Sequence, residues 1–301
     1  VNGLDRLVEE GLVTAAVELG ALTTYKLGGP ARYFHEAKTR EGLAAVARAR
    51  IEAGLPVLVL GRGSNLVISE RGFDGLVVRL SGVFGAIEFD GEDIIAGGAV
   101  HLPALARAAV RAGRLGLEFF VGIPGSVGGA VRQNAGCHGQ ETVDHLLEAE
   151  ILDLSSGSIA THPAAGLDLS YRHSNVRSDQ VVLGARFHTS AGDPHVGEAR
   201  LREITRWRKA HQPGGTLNAG SVFKNPPGDA AGRIIDALGL KGLTVGGASV
   251  SERHANFFVA SARATPSDLH RLVAEVRRRV REATGIDLEP EIVFVGDFED
   301  A

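Results

Sequence analysis

Three short segments of the chain carry residue types capable of acid–base or anion chemistry. Residues 219–226 read AGSVFKNP, which sets Ser221 behind a glycine and shortly before Lys224 and Asn225. Residues 171–174 read YRHS, with Tyr171 and Arg172 adjacent, and LEPEIVF near the C-terminus carries Glu291. The serine suits a turn, a proton donor or a phosphate contact. Each of these residues taken alone is most often a surface or capping group, so the rest of the chain has to decide.

Two glycine-rich segments add a possible ligand cradle. GRGSNL (61–66) follows an apolar strand pattern, but Leu66 stands where a dinucleotide fingerprint needs its third glycine, and no helical pattern follows. A tight structural turn and an anion nest both fit it. GIPGSVGGA (122–130) lacks the Gly-Lys-Ser/Thr ending of a P-loop, and Pro124 replaces the first glycine of a nucleophile elbow. Its four glycines within 122–129 suit a backbone pressed against a flat ligand or a diphosphate. Cys137 and His138 are adjacent, a poor arrangement for a thiolate and its base, and read as loop residues.

Composition narrows the class. The 301 residues allow two or three domains, and a net charge of −4 argues against a general nucleic-acid binder. A single cysteine excludes an intramolecular disulfide, and the histidines lack metal-ligand spacing. No apolar run approaches the roughly 18 residues of a membrane span and no signal-peptide pattern opens the chain, so a cytoplasmic protein without membrane insertion is expected. Forty glycines are about double the usual share.

The elements that must position these residues read as mixed α and β. Strands are expected over 31–37, 56–60 (apolar throughout, as if buried on both faces), 75–80, 93–100, 146–154, 181–190 and 291–298. Helices are expected over about 40–53, 103–112, 197–211 and 266–284. The last has Thr265-Pro266-Ser267-Asp268 as a capping box and Gly285 as its stop. Residues 116–141 read as the densest loop region. The pattern is α+β in compact, closely packed domains.

Taken together, GRGSNL, GIPGSVGGAVRQNAG, YRHS, AGSVFKNP, HANFFV and LEPEIVFVG resemble the UDP-N-acetylenolpyruvoylglucosamine reductase (MurB) family, in that family's order and over about residues 23–296. Tyr25-Lys26 stands for the family's aromatic-Arg pair, and Cys137-His138 for its commoner Ala-Tyr. Tyr171 is the last tyrosine, so the lid tyrosine of one branch is absent and the chain resembles the shorter type II branch. The resemblance implies a two-subdomain FAD-binding fold of the PCMH or vanillyl-alcohol-oxidase kind plus a C-terminal α/β substrate domain. The divisions fall at 1–79, 80–197 and 198–293, with the C-terminal strand of about 294–301 returning to the first part.

The same resemblance implies bound FAD, NADPH as co-substrate, and a UDP-sugar enolpyruvyl ether reduced for peptidoglycan synthesis, with no oligomer required. It implies Arg172, Ser221 and Glu291 as catalytic, with Ser221 passing a proton to C2 after hydride reaches C3. Tyr171, Lys224 and Asn225 would contact substrate. Gly61, Arg62, Gly63, Ser64, Asn65 and Leu66, then Gly122, Ile123, Pro124, Gly125, Ser126, Gly128, Gly129 and Ala130, with Asn134 and Gly136, would hold the cofactor. Other FAD-dependent oxidoreductases of the same fold, a flavin-free nucleotide-sugar enzyme and a non-catalytic nucleotide binder remain as alternatives at this stage.

Overall fold

A computed structural model describes residues 3–298, so residues 299–301 of the expected C-terminal strand lie outside the described residues. The chain divides into two compact units. One comprises Val1–Ala15, Tyr33–Arg62 and Gly75–Arg208, and the other Ala16–Arg32, Gly63–Asp74 and Lys209–Ala301.

In the first unit the strand Pro30–Ala37 alternates, with Tyr33, His35 and Ala37 buried. Thr39 then caps the helix Arg40–Ala53, its side chain accepting from the Gly42 amide at 3.1 Å, and Gly54 ends it in the left-handed region. Leu43, Val46 and Ala47 form the buried stripe of that helix and pack with Leu4, Leu76 and Val78. The next strand is Val57–Val59, parallel to Phe73–Leu80 with Val57 opposite Leu76. All three of its residues are only half-buried, against the expectation of burial on both faces. The reason is position: it ends the order of its four-stranded sheet and so is covered by a neighbour on one side only.

A five-stranded antiparallel sheet forms the other half of this unit, in the order Ile159–Pro163, Leu146–Asp153, Gln180–His188, Asp93–Gly97, Ile87–Asp90. The strand expected over 93–100 stops at Gly97. A Cβ on Gly97 would run into the Phe84 carbonyl, and one on Gly98 into the Val182 carbonyl. Beyond this point the chain instead pairs with the glycine-rich segment. The amides of Gly128 and Val127 donate to the carbonyls of Gly98 and Val100 at 3.0 and 2.9 Å, and Leu102 N–H donates to Gly125 at 3.0 Å.

Inside the region expected to be loop lies the helix Val127–Gln133. Ser126 caps it, Val127, Ala130 and Val131 are its buried face, and Asn134 closes it at φ 42°. Its two glycines hid it from propensity reasoning, because glycine costs a helix about 1 kcal/mol relative to alanine. Packing offsets that cost: a Cβ on Gly128 would already be 3.3 Å from the carbonyls of Gly98 and Val182.

The second unit is built on the helix Pro266–Thr284, which has the expected boundaries. Thr265 accepts from the Asp268 amide, Asp268 returns the bond to the Thr265 amide, and Gly285 follows at φ 76°. Leu269, Leu272, Val273, Val276 and Val280 are buried against Ile234 and Ile235 of the helix Ala231–Ala237 and against Phe258. The C-terminal strand is shorter than the 291–298 expected. Val293–Val295 runs parallel to Leu66–Ile68, Val293 opposite Leu66. Among the described residues no helix is long and apolar enough to cross a membrane.

Removing the Thr265 hydroxyl should leave the Asp268 amide without its cap. Thr265→Ala is expected to lower stability by about 1 kcal/mol. Urea unfolding followed by far-UV circular dichroism measures it, and an unchanged midpoint would mean that the cap is redundant.

Candidate active site

The first unit brings the two glycine segments together. A Cβ on Gly61 would lie 2.8 Å from the Ser126 hydroxyl, so the start of 61–66 lies against the serine in the middle of 122–130. His101 forms an isolated bridge with Ser126. Burial first, then the charges of Arg62 and Arg107, hold its imidazole below the usual pKa. Arg62 and Arg107 thus bring positive charge near His101, beside segments rich in glycine, an arrangement compatible with an anion such as a diphosphate. Arg62, Pro124 and Gly129 are exposed, Ile123, Gly125 and Gly128 are half-buried, and Ala130 is core.

Two glycines of these segments are required by the protein's own packing. Gly122 carries no Cβ because one would sit 2.7 Å from the Cys137 sulfur. Gly63, in the second unit, sits at φ 60° against the Leu22 carbonyl, and its own carbonyl accepts from the Thr24 amide at 3.0 Å. Ser64 and Leu66 beside it are half-buried.

Arg172 occupies a tight turn in which Ser170 and His173 exchange backbone hydrogen bonds of 3.2 and 3.0 Å. Its φ of 55° is left-handed, a conformation that costs a non-glycine residue on the order of 1–2 kcal/mol. The side chain is mostly buried. Its Nη2 donates to the Gly136 carbonyl at 2.9 Å, its Nη1 lies 3.9 Å from Glu141, and its guanidinium sits 5.0 Å from the ring of the exposed Tyr171. Specific contacts around the guanidinium hold this strained turn in place.

Asn134 supports that turn and does not present its amide outward. It is completely buried; Nδ2 donates to Glu141 at 2.8 Å and to the Ser170 carbonyl at 3.0 Å, while Oδ1 accepts from the Val143 amide at 2.9 Å. With its polar capacity used internally, it fixes the hairpin of Gly136 and the turn of Arg172 together. Gly136 is required by that hairpin, since a Cβ would lie 2.8 Å from Glu141 Cγ. Cys137 lies beneath, its thiol directed at the Phe119 carbonyl at 3.1 Å. Burial pushes its pKa up to about 11, against the opposing pull of Arg208, Arg172 and Arg200. Arg208 also approaches the Gly122 position, where its Cδ would lie 3.7 Å from an added Cβ.

In the second unit Ser221, Lys224, Asn225, Glu291 and Asn65 come together. The segment 221–224 belongs to no named strand, yet it is bonded on both sides. Ser221 bridges Phe257 and Phe223 bridges Pro290. The Glu291 amide donates to the Val222 carbonyl at 2.7 Å, and the Lys224 amide to the Glu289 carbonyl at 2.9 Å. Asn65 holds the far side of Glu291: Nδ2 donates to the Glu291 carbonyl at 2.9 Å, and the Asn65 carbonyl accepts from Val293 at 2.9 Å. Lys224 pairs with Glu289 at 2.7 Å, and Asn225 accepts from the Ala231 amide at 3.1 Å, opening the helix Ala231–Ala237. Tyr25 is fully buried and donates to the Phe258 carbonyl at 3.0 Å; burial raises its pKa well above that of a free phenol.

The fold and the glycine cradle define an FAD-binding protein: residues 31–162 match the model of an FAD binding domain. A solved berberine bridge enzyme variant, a reticuline dehydrogenase, shares the fold at a TM-score of 0.50 and 13% identity, covering 64% of this chain and 44% of that one. Residues 212–295 match the C-terminal domain of UDP-N-acetylenolpyruvoylglucosamine reductase. The reductase of Methylorubrum populi is 45% identical over 92% of this chain and 90% of its own, and that of Heliobacterium modesticaldum 41% over 91% and 88%. The crystal structure of the MurB reductase from Thermus caldophilus superposes with a TM-score of 0.81 at 37% identity, covering 93% of this chain and 98% of that one. The chain belongs to the UDP-N-acetylenolpyruvoylglucosamine reductase family, as an FAD-containing oxidoreductase.

The Cys137 environment predicts an unreactive thiol. At about pH 8 a group with a pKa of about 11 is ionised to roughly one part in a thousand. Native protein should therefore react slowly with a disulfide reagent, faster by about tenfold per pH unit, and rapidly once unfolded. Fast labelling of the native state at neutral pH would contradict this.

Proposed function

We propose that this chain reduces the enolpyruvyl ether of UDP-N-acetylglucosamine to the lactyl ether of UDP-N-acetylmuramate, with NADPH as reductant, in the cytoplasmic assembly of peptidoglycan precursors. The observation that carries the reading is the backbone ladder of the second unit, which holds Ser221 one residue from the carbonyl that accepts the Glu291 amide. We propose a flavin-binding portion divided near residue 80 and a substrate-binding portion over about 198–293.

FAD, when bound, supplies the relay that carries a hydride from NADPH to the vinyl carbon C3. The cradle of Gly61 and Ser126 would take its diphosphate. The chain's own task is then to stabilise charge at C2 and to protonate that carbon from one side. Arg172 holds the substrate carboxylate, into which the charge spreads; its contact strengthens as the enolate forms, and such contacts raise kcat. Its bond to the Gly136 carbonyl fixes the guanidinium plane in advance.

Ser221 gives its hydroxyl proton to C2. A hydroxyl is a weak acid, but a carbanion next to a carboxylate is a strong base, so the transfer is matched. Glu291 acts in its protonated form, because an ionised carboxylate beside an enolate would repel it. Tyr171 contacts the substrate, and Lys224 and Asn225 face its diphosphate.

Ser221→Ala is expected to leave flavin reduction by NADPH nearly intact and to slow flavin reoxidation by substrate on the order of 10²–10⁴-fold. Stopped-flow flavin absorbance separates the two steps, and equal damage to both would make Ser221 structural. Glu291→Gln should retain more reoxidation activity than Glu291→Asp. Glutamine keeps the length and one donor, whereas aspartate withdraws the acid by one methylene. The reverse order would assign Glu291 an ionised role.

A further inference from the structure

Asn256 lies in HANFFV, a segment quoted from the sequence for its resemblance alone. It is 97% buried, with 3% of its surface exposed. Its Oδ1 accepts from the Phe223 amide at 2.9 Å and its Nδ2 donates to the Phe223 carbonyl at 2.8 Å, the two-point bond that a neighbouring strand would make. Its own carbonyl accepts from the Val222 amide at 2.9 Å. One residue thus satisfies three polar groups of residues 222 and 223. The remaining Val222 carbonyl is the acceptor for Glu291 N–H, at 2.7 Å.

On the other side of Ser221, Gly220 sits at φ 77° and its amide donates to Asn218 Oδ1 at 3.1 Å. Ser221 is therefore held between a glycine that sets its entry angle and a backbone stretch clamped by a buried amide. The side-chain clamp grips Phe223, two residues from Ser221, and the Val222 carbonyl between them accepts the Glu291 amide. A hydrophobic side chain of similar size would fill the space and leave both backbone groups of Phe223 without partners, which in a buried site costs more than the bonds are worth.

We propose that Asn256 is a positioning residue for the proton-transfer step: its side-chain amide sets the register of Ser221 against Glu291. This rests on the reading of Ser221 and Glu291 given above. A register error of the order of an ångström degrades proton transfer by up to about a hundredfold, while hydride delivery to the cofactor needs neither residue.

The test uses the FAD-loaded, full-length enzyme with NADPH and UDP-N-acetylglucosamine enolpyruvate, following flavin reduction and reoxidation in the same anaerobic sample. Asn256→Ala should reduce at a rate within about twofold of wild type and reoxidise at least tenfold more slowly. Asn256→Asp gives an independent reading should the alanine variant not fold. Burial raises the pKa of the new carboxyl. Below that pKa it is protonated and can donate to the Phe223 carbonyl; above it, the ionised form has no donor. Its reoxidation rate relative to wild type should therefore rise as pH falls, with the reduction rate flat.

Equal slowing of both steps, or a relative reoxidation rate that does not change with pH, would overturn the positioning role. A wild-type enzyme that is reduced by NADPH and never reoxidised by the UDP-sugar would overturn the underlying reading and this inference with it.

Discussion

The Val222 carbonyl is the point that ties segment 221–224 to the C-terminal segment of the second unit. It accepts the Glu291 amide, and the residue that carries it is bonded through its own amide to Asn256. Segment 221–224 lacks the regular neighbours of a sheet, and a stretch of extended backbone without them would expose unsatisfied polar groups in a buried place. Isolated bridges to Phe257 and Pro290, together with one buried asparagine, supply the missing partners. Removing regularity leaves room for a glycine and a serine; restoring the hydrogen bonds keeps that serine fixed.

The first unit solves a related problem with charge. Arg172 is held in a left-handed turn by the Gly136 carbonyl and by Asn134, whose amide joins the turn to the hairpin. Glu141 supplies a counter-charge 3.9 Å from the guanidinium. Near the glycine segments the positive field of Arg62 and Arg107 meets backbone free of side chains. Both arrangements place positive charge beside backbone held in fixed geometry.

Much of this was legible in the sequence where a local rule had no competitor. The helix over 266–284 was bounded by a capping box and a terminal glycine, and those signals act within a few residues of one another. Long-range packing decided the rest. The helix Val127–Gln133 was hidden because its glycines serve close approach to a sheet, a demand that is invisible locally. The apolar run at 56–60 reads as a doubly covered strand, but only its place at a sheet edge determines that its residues stay half-buried. The Asn134 side chain makes its bonds to Glu141, Ser170 and Val143, and Asn256 drew no attention as a side chain. In each case the partners lie far away or in another segment, and residue type alone does not reveal which of an amide's several bonds will be made.

On the function proposed above, reducing equivalents held by this chain pass to an enolpyruvyl ether. The most direct measurement is anaerobic: reduce the FAD-loaded wild-type enzyme with one equivalent of NADPH, add one equivalent of UDP-N-acetylglucosamine enolpyruvate, and record the flavin spectrum and the product. Full return of the oxidised spectrum with formation of the lactyl ether is the predicted result. Flavin that stays reduced with the substrate and is oxidised rapidly only when oxygen is admitted would contradict the claim and favour an oxidase of the same fold.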